Sequence, residues 1–217
     1  MRELQGLLHS QGLTLHNLKD QRSAYMLQHF CDIMTWGIKR VIDFCKGIPH
    51  FTDLTLPDQV FLLKGGCLEM LVIRSYQAFS HDGSGSYRSD KFQYTTSDFM
   101  KAGASEEFVR AYNQVHCRMR ALQLTNEEIC LLLALVLFSP DRDDLTMRGE
   151  LESAQEQVAE TLKALEHAEK TKEKAVGDFC EIMLLLPKLR TVSSLFARDI
   201  DALQHDFVDN CKRKSSK

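Results

Sequence analysis

Apolar residues recur three or four positions apart along almost all of this 217-residue chain, and this spacing constrains its fold more than any other feature. The clearest stripe runs through residues 26–45, where the spacing places apolar side chains on one face of a helix. Four prolines and eleven glycines offer few interruptions. Because 44% of the residues are hydrophobic, a sizeable core is available. The pattern predicts an all-α domain.

Local signals mark where the helices begin and where the pattern fails. Thr55, followed by a proline and an acidic residue, predicts a helix start, and residues 125–128 form a capping box. The apolar run at 129–138 predicts a helix buried on all sides, since a membrane span needs about 20 residues. Residues 81–94 lose helical character, and their glycines between aromatic residues predict a short hairpin.

Charge and cysteine spacing exclude several classes of function. A net charge of −3 leaves no basic face for nucleic acid. Seven scattered cysteines without a Cys-x-x-Cys pair argue against a zinc module or a secreted disulfide framework, so reduced thiols are expected. No histidine has a neighbour at ligand spacing, and no Ser-His-acid or phosphate-loop arrangement appears. The chain is therefore predicted to be no enzyme and to hold no metal or cofactor.

Residues 44–64 carry the most specific motif of the chain. They combine an aromatic residue, a lysine, a proline-x-phenylalanine turn, an Asp-Gln pair and a Leu-Leu-Lys triplet in one register. The matching positions are Phe44, Lys46, Pro49, Phe51, Asp58, Gln59, Leu62, Leu63 and Lys64. The segment resembles the signature of nuclear hormone receptor ligand-binding domains, and residues 69–75 and 138–142 resemble the vitamin D and ecdysone-xenobiotic receptor branch.

The resemblance covers residues 26–209 and implies a fold. We expect a three-layer antiparallel helical sandwich of about ten to eleven helices with one small β-hairpin. One ligand-binding domain is expected at 1–211, followed by a basic disordered tail at 212–217. The tail also fits a nuclear import signal, although a frayed solvated end is the simpler interpretation.

A coregulator groove is predicted where the turn at Pro49 makes two helices neighbours. Apolar side chains there suit an amphipathic helix with leucines at i, i+3 and i+4. A lysine at the end of such a groove can bond the free carbonyls of a docked helix and offset its dipole. The predicted lining residues are Ile42, Lys46, Gln59, Val60 and Lys64. The alternative is that the lysines are ordinary surface residues.

A ligand pocket is predicted around Arg74, which lies among apolar residues on a helix expected to cross the core. A buried guanidinium without partners is unfavourable, so something must accept its hydrogen bonds. Either a polar ligand group or an internal ion-pair or carbonyl network would do so. The other candidates, assigned from the resemblance, are Met34, Gly37, Leu71, Ser75 and Tyr87. Because Gly37 and Ala78 stand where the vitamin D receptor has hydroxyls, its ligand is not expected here.

The resemblance also implies partners. Residues 185–192, with Leu189 and Arg190, resemble the family's dimerisation helix. Glu69 with Arg142 matches the charge pair of receptors that heterodimerise with the retinoid X receptor, although either residue also fits a routine salt bridge. We expect a small lipophilic ligand (steroid, sterol or fatty-acid like), a retinoid X receptor type partner, and corepressor or coactivator helices. Direct nucleic-acid or membrane contact is not expected, and the expected location is the nucleus.

Two departures from the family pattern shape the expected function. The cysteine spacing of a DNA-binding domain is missing, and residues 203–208 only faintly resemble an activation helix. We therefore expect these residues to end the last long helix, as in Rev-erb type receptors. A groove without that lid favours the longer helix of a corepressor over a coactivator helix. The alternative is a ligand-independent dimerisation module of the same fold with a filled pocket.

Overall fold

The computed structural model describes residues 21–79, 86–88, 93–142 and 144–215, although the side chains of residues 21–28, 30 and 203–215 lie outside the description. These residues form helices joined by short turns, with two short strands. The helices are α1 (Gln21–Lys46), α2 (Leu56–Ser75), α3 (Thr96–Lys101), α4 (Glu106–Leu122), α5 (Asn126–Leu137), α6 (Arg148–Glu169), α7 (Lys172–Met183) and α8 (Leu185–Ser215). The strands β1 (Tyr87–Arg88) and β2 (Gln93–Tyr94) pair antiparallel.

Side-chain caps fix the starts of three helices, two of them, at Thr55 and Thr125, predicted from the sequence. The hydroxyl of Thr55 accepts from the backbone N–H of Asp58 at 3.3 Å at the start of α2. Ser105 caps α4 in the same way, with 3.1 Å to the N–H of Phe108. At the start of α5 both halves of the predicted capping box are present. These predictions hold because a cap depends on only four consecutive residues.

The ends of two helices differ from the sequence expectation. The apolar spacing predicts a second helix that continues to about residue 79, but α2 ends at Ser75 and is followed by a 3-10 turn at Tyr76–Ala78. The spacing also predicts one last helix from about residue 178, with Pro187 as the position of a kink. It is divided at Leu184 into α7 and α8. Pro187 therefore lies in the first turn of α8, where its missing N–H costs nothing, and not at a kink inside one helix.

Helix α5 forms the centre of the core. Residues 132–138 are all buried, and α5 packs against both α2 and α6. Helix α2 also contacts α1 and α8, while α8 packs along α4. The all-round burial predicted for the apolar run is confirmed, because neighbouring helices cover α5 on opposite sides.

The all-α class and the small hairpin are confirmed. The count of ten to eleven helices is not confirmed, since the described residues form eight α-helices. The three-layer arrangement and the domain bounds at 1–211 and 212–217 stay predictions. Within the described ranges, no helix combines the length and apolar character that crossing a bilayer demands.

A buried cluster of charges joins α5, α6 and α7. The Lys170 ammonium contacts carboxylates of Glu128 at 2.8 Å, Glu166 at 2.7 Å and Asp178 at 2.9 Å. Glu128 and Glu166 are almost fully buried. One ammonium cannot balance three carboxylates in such surroundings, so one carboxyl is driven to keep its proton.

Glu166 is the carboxyl that binds this proton more readily. Burial and the adjacent Glu128 carboxyl raise the pKa of Glu166 to about 7. Burial acts to raise the pKa of Glu128 as well, but hydrogen bonds from Glu166, Lys170 and the Thr125 N–H lower it to about 2. The pKa values of the two carboxyls are therefore pushed apart, so Glu166 takes up a proton at a higher pH than Glu128 does.

We expect the Glu166 carboxyl to contribute less to stability as the pH rises from 5.5 to 8. The pKa of Glu166 is higher in the folded chain than its ordinary value of 4.5, so its contribution is present at low pH and is lost through about pH 7. His116 acts in the opposite direction up to about pH 6.5, because its pKa is lower in the folded chain. The expected loss from Glu166 is about 1–3 kcal/mol, measured as the difference between the unmodified chain and Glu166→Gln in urea denaturation across this range. Glu156→Gln, at an exposed position of the same helix, should keep the pH dependence of the unmodified chain, and an unchanged dependence in Glu166→Gln would contradict the assignment.

Candidate functional site

The turn between α1 and α2 is held by two buried side chains and one amide. Phe51 and Leu54 insert into the core. The Gln59 amide donates to the carbonyl of Leu54 at 2.9 Å and to that of Thr52 at 3.4 Å. Gln59 was predicted as a groove residue, and it is half-buried. Because its amide nitrogen donates within the turn, Gln59 helps to fix the angle between α1 and α2.

Asp58 connects the same turn to a distant helix. Its fully buried carboxylate accepts from the N–H of Thr146 at 2.9 Å, the Thr146 hydroxyl at 2.6 Å and the N–H of Met147 at 3.2 Å, just before α6. Burial acts to raise the pKa of Asp58, but these hydrogen bonds lower it. Both side chains of the Asp-Gln pair therefore have structural roles. Sequence reasoning missed the role of Asp58.

The remaining predicted groove residues lie on the outer faces of α1 and α2, which pack against each other. Lys46 and Lys64 are exposed, and Ile42 is half-buried. Val60 is 40% exposed and Phe61, which sequence reasoning did not select, is 37% exposed. An apolar surface with lysines on both helices is thus open to solvent.

The predicted ligand residues on α1 and α2 meet at a close helix contact. A Cβ placed on Gly37 would lie 2.6 Å from Cδ2 of Leu71, a clash for any other residue. Gly37 therefore lets the two helices approach, which resolves why a glycine interrupts the α1 stripe. Met34, one turn earlier, is half-buried.

Ser75 and Tyr87, both predicted to contact a ligand, share an internal hydrogen-bond network. The Ser75 hydroxyl donates to the carbonyl of Val72 at 2.7 Å and accepts from the hydroxyl of Tyr112 at 2.8 Å. The Tyr87 hydroxyl lies 2.6 Å from Nδ1 of His116, whose Nε2 lies 2.7 Å from the carbonyl of Val72. Because a carbonyl only accepts, Nε2 carries the proton and Nδ1 accepts from Tyr87.

The surroundings keep this network uncharged. Burial lowers the pKa of His116 to about 4, and burial raises the pKa of Tyr112 to about 12. Aromatic rings enclose the network, with Tyr87 stacked on Tyr112 at 5.1 Å and edge-on to Phe99 at 5.4 Å. Sequence reasoning selected neither Tyr112 nor His116, because both lie on α4, remote in sequence from the motif.

Arg74 differs from these hydroxyl groups. It is half-buried near the end of α2 and makes no hydrogen bond or ion pair within the described part of the chain. The described residues therefore include no partner for the internal ion pair that the sequence left as an alternative. The described residues accept no hydrogen bond from any of the five donors of this guanidinium.

Glu69 and Arg142 form the predicted charge pair inside the chain. Nη2 of Arg142 lies 3.3 Å from Oε1 of Glu69, and Nε of Arg190 lies 3.1 Å from the same oxygen. Arg190 also contacts Asp141 at 3.2 Å. Glu69 is 2% exposed, so the network ties α2, the loop after α5 and α8 together, with Arg190 and Asp141 as its outer members.

Two glycines of α2 make room for this network. A Cβ on Gly65 would lie 2.6 Å from Nη1 of Arg142, and one on Gly66 would lie 3.2 Å from Nη2. The guanidinium therefore rests on bare helix backbone. No local pattern around the Gly-Gly pair reveals this, because Arg142 follows it by 76 residues.

Leu189, assigned to the dimerisation surface, is fully buried within the chain. It belongs to the apolar face of α8 that packs on the core. A contact of Leu189 with a partner is therefore not available in this structure. Leu184, at the break before α8, and Val176 on α7 are instead exposed apolar side chains.

Comparison with known proteins agrees with this geometry. The family model described as the ligand-binding domain of nuclear hormone receptor matches residues 17–204, most of the chain. The chain belongs to the nuclear hormone receptor family. The internal pair between Glu69 and Arg142 and the motif turn at Phe51 are thus parts of a receptor ligand-binding domain.

Curated relatives place this receptor domain within the family. Vitamin D3 receptor B of Danio rerio is 37% identical over 147 residues, 67% of this chain and 35% of that protein. Nuclear receptor subfamily 1 group I member 3 of Rattus norvegicus is 32% identical over 82% of this chain and 50% of that protein. Group I member 2 of the same species is 33% identical over 84% of this chain and 42% of that protein. The branch inferred from the motif is confirmed, and the chain spans about a third to a half of these relatives.

Proposed function

We propose that this chain is the ligand-sensing and coregulator-binding domain of a nuclear receptor that regulates transcription in the nucleus. The expected ligand is small and lipophilic, of the steroid, sterol or fatty-acid kind, and its polar group is held by Arg74. The observation that carries the proposal is the half-buried Arg74 without a partner among the described residues. A guanidinium in this position is strongly stabilised by an acceptor from outside the protein.

Removing the guanidinium should weaken the ligand at least tenfold, because a hydrogen bond to a charged group contributes about 1.5–3 kcal/mol. Native mass spectrometry of the purified chain identifies the retained molecule, and titration of that molecule into Arg74→Ala measures the loss. Arg118→Ala, at an exposed position paired with Glu181, is the matched control and should bind normally. Equal affinity in the Arg74 variant would contradict the anchoring role.

The second candidate is a ligand-independent dimerisation module with a filled pocket. The rings of Phe79, Phe99 and Tyr112 favour this candidate. They pack against Tyr87, a predicted ligand residue, and so occupy space next to it. Ser75 and Tyr87 also have their hydroxyls occupied. Protein purified under native conditions without any bound small molecule, and unresponsive to lipids and sterols, would support this candidate instead.

The proposed coregulator site is the outer face of α1 and α2 at Ile42, Lys46, Gln59, Val60 and Lys64. Exposed Val60 and Phe61 supply apolar contact area, and the exposed lysines can meet the C-terminal carbonyls of a docked helix. The rigid turn at Phe51 supports this face, because a peptide groove depends on a fixed angle between its two walls.

Corepressor helices are the preferred occupants in this proposal. Helix α8 extends to Ser215 and includes residues 203–208, which supports a groove without a separate activation helix. The side chains of 203–208 lie outside the described residues. In this proposal the groove stays open at one end and accommodates a longer helix, because residues 203–208 supply no acidic clamp for a short Leu-x-x-Leu-Leu helix.

Labelled peptides should bind in the order corepressor, then coactivator, with at least a fivefold difference in dissociation constant. Lys64→Ala should weaken corepressor binding about two- to fivefold, in line with a contribution of about 0.3–1 kcal/mol from a charge at a helix end. Lys39→Ala, exposed on α1 outside the predicted groove set, is the control. Tight coactivator binding with weak corepressor binding, measured by fluorescence polarisation, would end the preference.

A retinoid X receptor type partner is proposed for the surface of α7 and the start of α8. Exposed Val176 and Leu184 lie on this surface, and Arg190 is the more exposed arginine of the Glu69 network. Glu69 and Leu189, which the resemblance connects with dimerisation, are buried and contribute to this surface by holding α8 in position. The layered packing expected of the family stays part of this proposal.

A further inference from the structure

Residues 4–8 read Leu4-Gln5-Gly6-Leu7-Leu8 and lie outside the described part of the structure. Their leucines stand at i, i+3 and i+4, the spacing expected of a helix that fits the proposed coregulator groove. No other segment of the sequence has leucine at all three of these positions. On the basis of the proposed function of that groove, we propose that the leucine segment, residues 4–8, docks as a helix in the groove of a second copy of this chain.

The outer face of α2 leaves three large apolar side chains in water. Leu56 is 71% exposed, Val60, one helical turn later, is 40% exposed, and the adjacent Phe61 is 37% exposed. Packing the leucines of a docked helix against these side chains removes apolar surface of both partners from water, which favours association. The three exposed side chains of the face therefore match the three leucines of the segment.

Charge gives the docked segment a direction. Exposed Lys64 lies one turn beyond Val60, and exposed Lys46 is the last residue of α1. The last carbonyls of a helix carry partial negative charge, so these lysines stabilise the C-terminal end of the leucine segment. Glu3 stands just before the first leucine, where an acidic residue suits the positive N-terminal end of a helix. The end of the segment at Leu8 therefore lies at the lysines.

The length of the connection between the segment and α1 determines that the groove belongs to a second copy. A segment that ends at Lys46 lies about 38 Å along α1 from Gln21, at a rise of about 1.5 Å per residue. Residues 9–20 reach at most about 45 Å when fully extended, and a free chain of this length spans about 20 Å on average. Docking in the chain's own groove would stretch the connection to more than about four fifths of its limit, which leaves a very low effective concentration. The groove of another copy carries no such restriction.

Mutual exchange of the leucine segments strengthens a contact that is weak by itself. Burial of three leucines favours docking, whereas Gly6 opposes helix formation and association costs translational and rotational freedom. One docked segment should therefore bind with a dissociation constant on the order of 0.1–1 mM. When each copy donates its segment to the other, the second docking step takes place within the complex, and the dimer should dissociate at about 10–100 µM.

Sedimentation equilibrium of the full chain at about 5–200 µM measures this association. We expect a monomer–dimer equilibrium that Leu7→Ala combined with Leu8→Ala weakens by roughly tenfold or more. Gly6→Ala should tighten the dimer about three- to tenfold, because alanine favours the docked helix at both exchanged segments. Gln5→Ala, between the leucines, is the matched control and should leave the dissociation constant within about twofold of the unmodified value.

Lys46→Glu combined with Lys64→Glu tests the groove side of the contact. Both lysines are exposed, so circular dichroism should show an unchanged helix content while the dimer weakens by roughly tenfold or more. A dimer that survives both the leucine and the lysine substitutions would overturn the proposal. So would a monomeric chain whose affinity for a corepressor peptide rises on the leucine substitutions, because the segment would then occupy its own groove. A monomeric chain that binds a corepressor peptide equally with and without those substitutions refutes the exchange alone, whereas a chain that binds no helical peptide refutes the proposed groove as well.

Discussion

Replacing Lys170 with methionine is expected to lower the free energy of unfolding by about 3–5 kcal/mol, because it leaves a buried cluster of carboxyls without its cation. The ammonium contacts Glu128, Glu166 and Asp178 within 2.9 Å, and two of these side chains are almost fully buried. Methionine fills a similar volume, so the loss reports charge and not packing. Urea denaturation at pH 7.5, followed by circular dichroism, measures it.

The effect should shrink at low pH, where the carboxyls accept protons and need the lysine less. Lys163→Met is the control. Lys163 is exposed and forms a long ion pair with Glu160 at 4.0 Å, so this variant should change the free energy of unfolding by no more than about 0.5 kcal/mol. A loss under about 1 kcal/mol at pH 7.5 for the Lys170 variant would mean that water reaches the cluster and screens it.

Arg142→Ala and Glu69→Ala should each cost about 2–4 kcal/mol of stability in the isolated chain, the second largest effect that we expect. Glu69 is 2% exposed, and its loss strands Arg142 on the backbone of Gly65 and Gly66. The double variant should cost at least about 1 kcal/mol less than the sum, because each residue is the partner of the other. Denaturation of the four proteins completes the cycle.

This cycle separates two roles for a pair that the family resemblance connects with dimerisation. If the pair acts by contacting a partner, the single variants weaken association and leave the stability of the isolated chain within about 0.5 kcal/mol of the unmodified value. If it acts by holding α8 against α2, the single variants lower the free energy of unfolding of the isolated chain. Arg110→Ala and Glu106→Ala, from an exposed pair 2.8 Å apart, provide the matched cycle and should couple by under about 0.5 kcal/mol.

Local patterns predicted those parts of the fold that depend on neighbouring residues. The caps at Thr55 and Thr125 join a side chain to the backbone N–H three positions later, and both form as predicted. The buried helix α5 follows from its unbroken apolar run. The break at Leu184 was missed, because Pro187 fits both the first turn of a new helix and a kink inside one long helix.

The candidate site shows the same difference between features of one segment and contacts between distant segments. The motif identified the family and the turn between α1 and α2, and the exposed positions of Lys46 and Lys64 agree with a groove that stays a prediction. The assignment of Ser75 and Tyr87 named two residues that the structure brings into one network, but not their partner His116. Leu189 was placed on an interface although it is buried, because an apolar stripe reveals a covered face and not what covers it.

By itself, the order of the residues determined the helical class, the helix starts and the membership of a receptor family, since each depends on spacings of a few residues along one segment. Only the folded chain decided that Asp58 holds the residues before α6, that Arg142 lies on Gly65, and that Lys170 faces three carboxyls. These contacts join segments tens of residues apart. Their energies arise from burial that neighbouring helices create together, and no single segment encodes it.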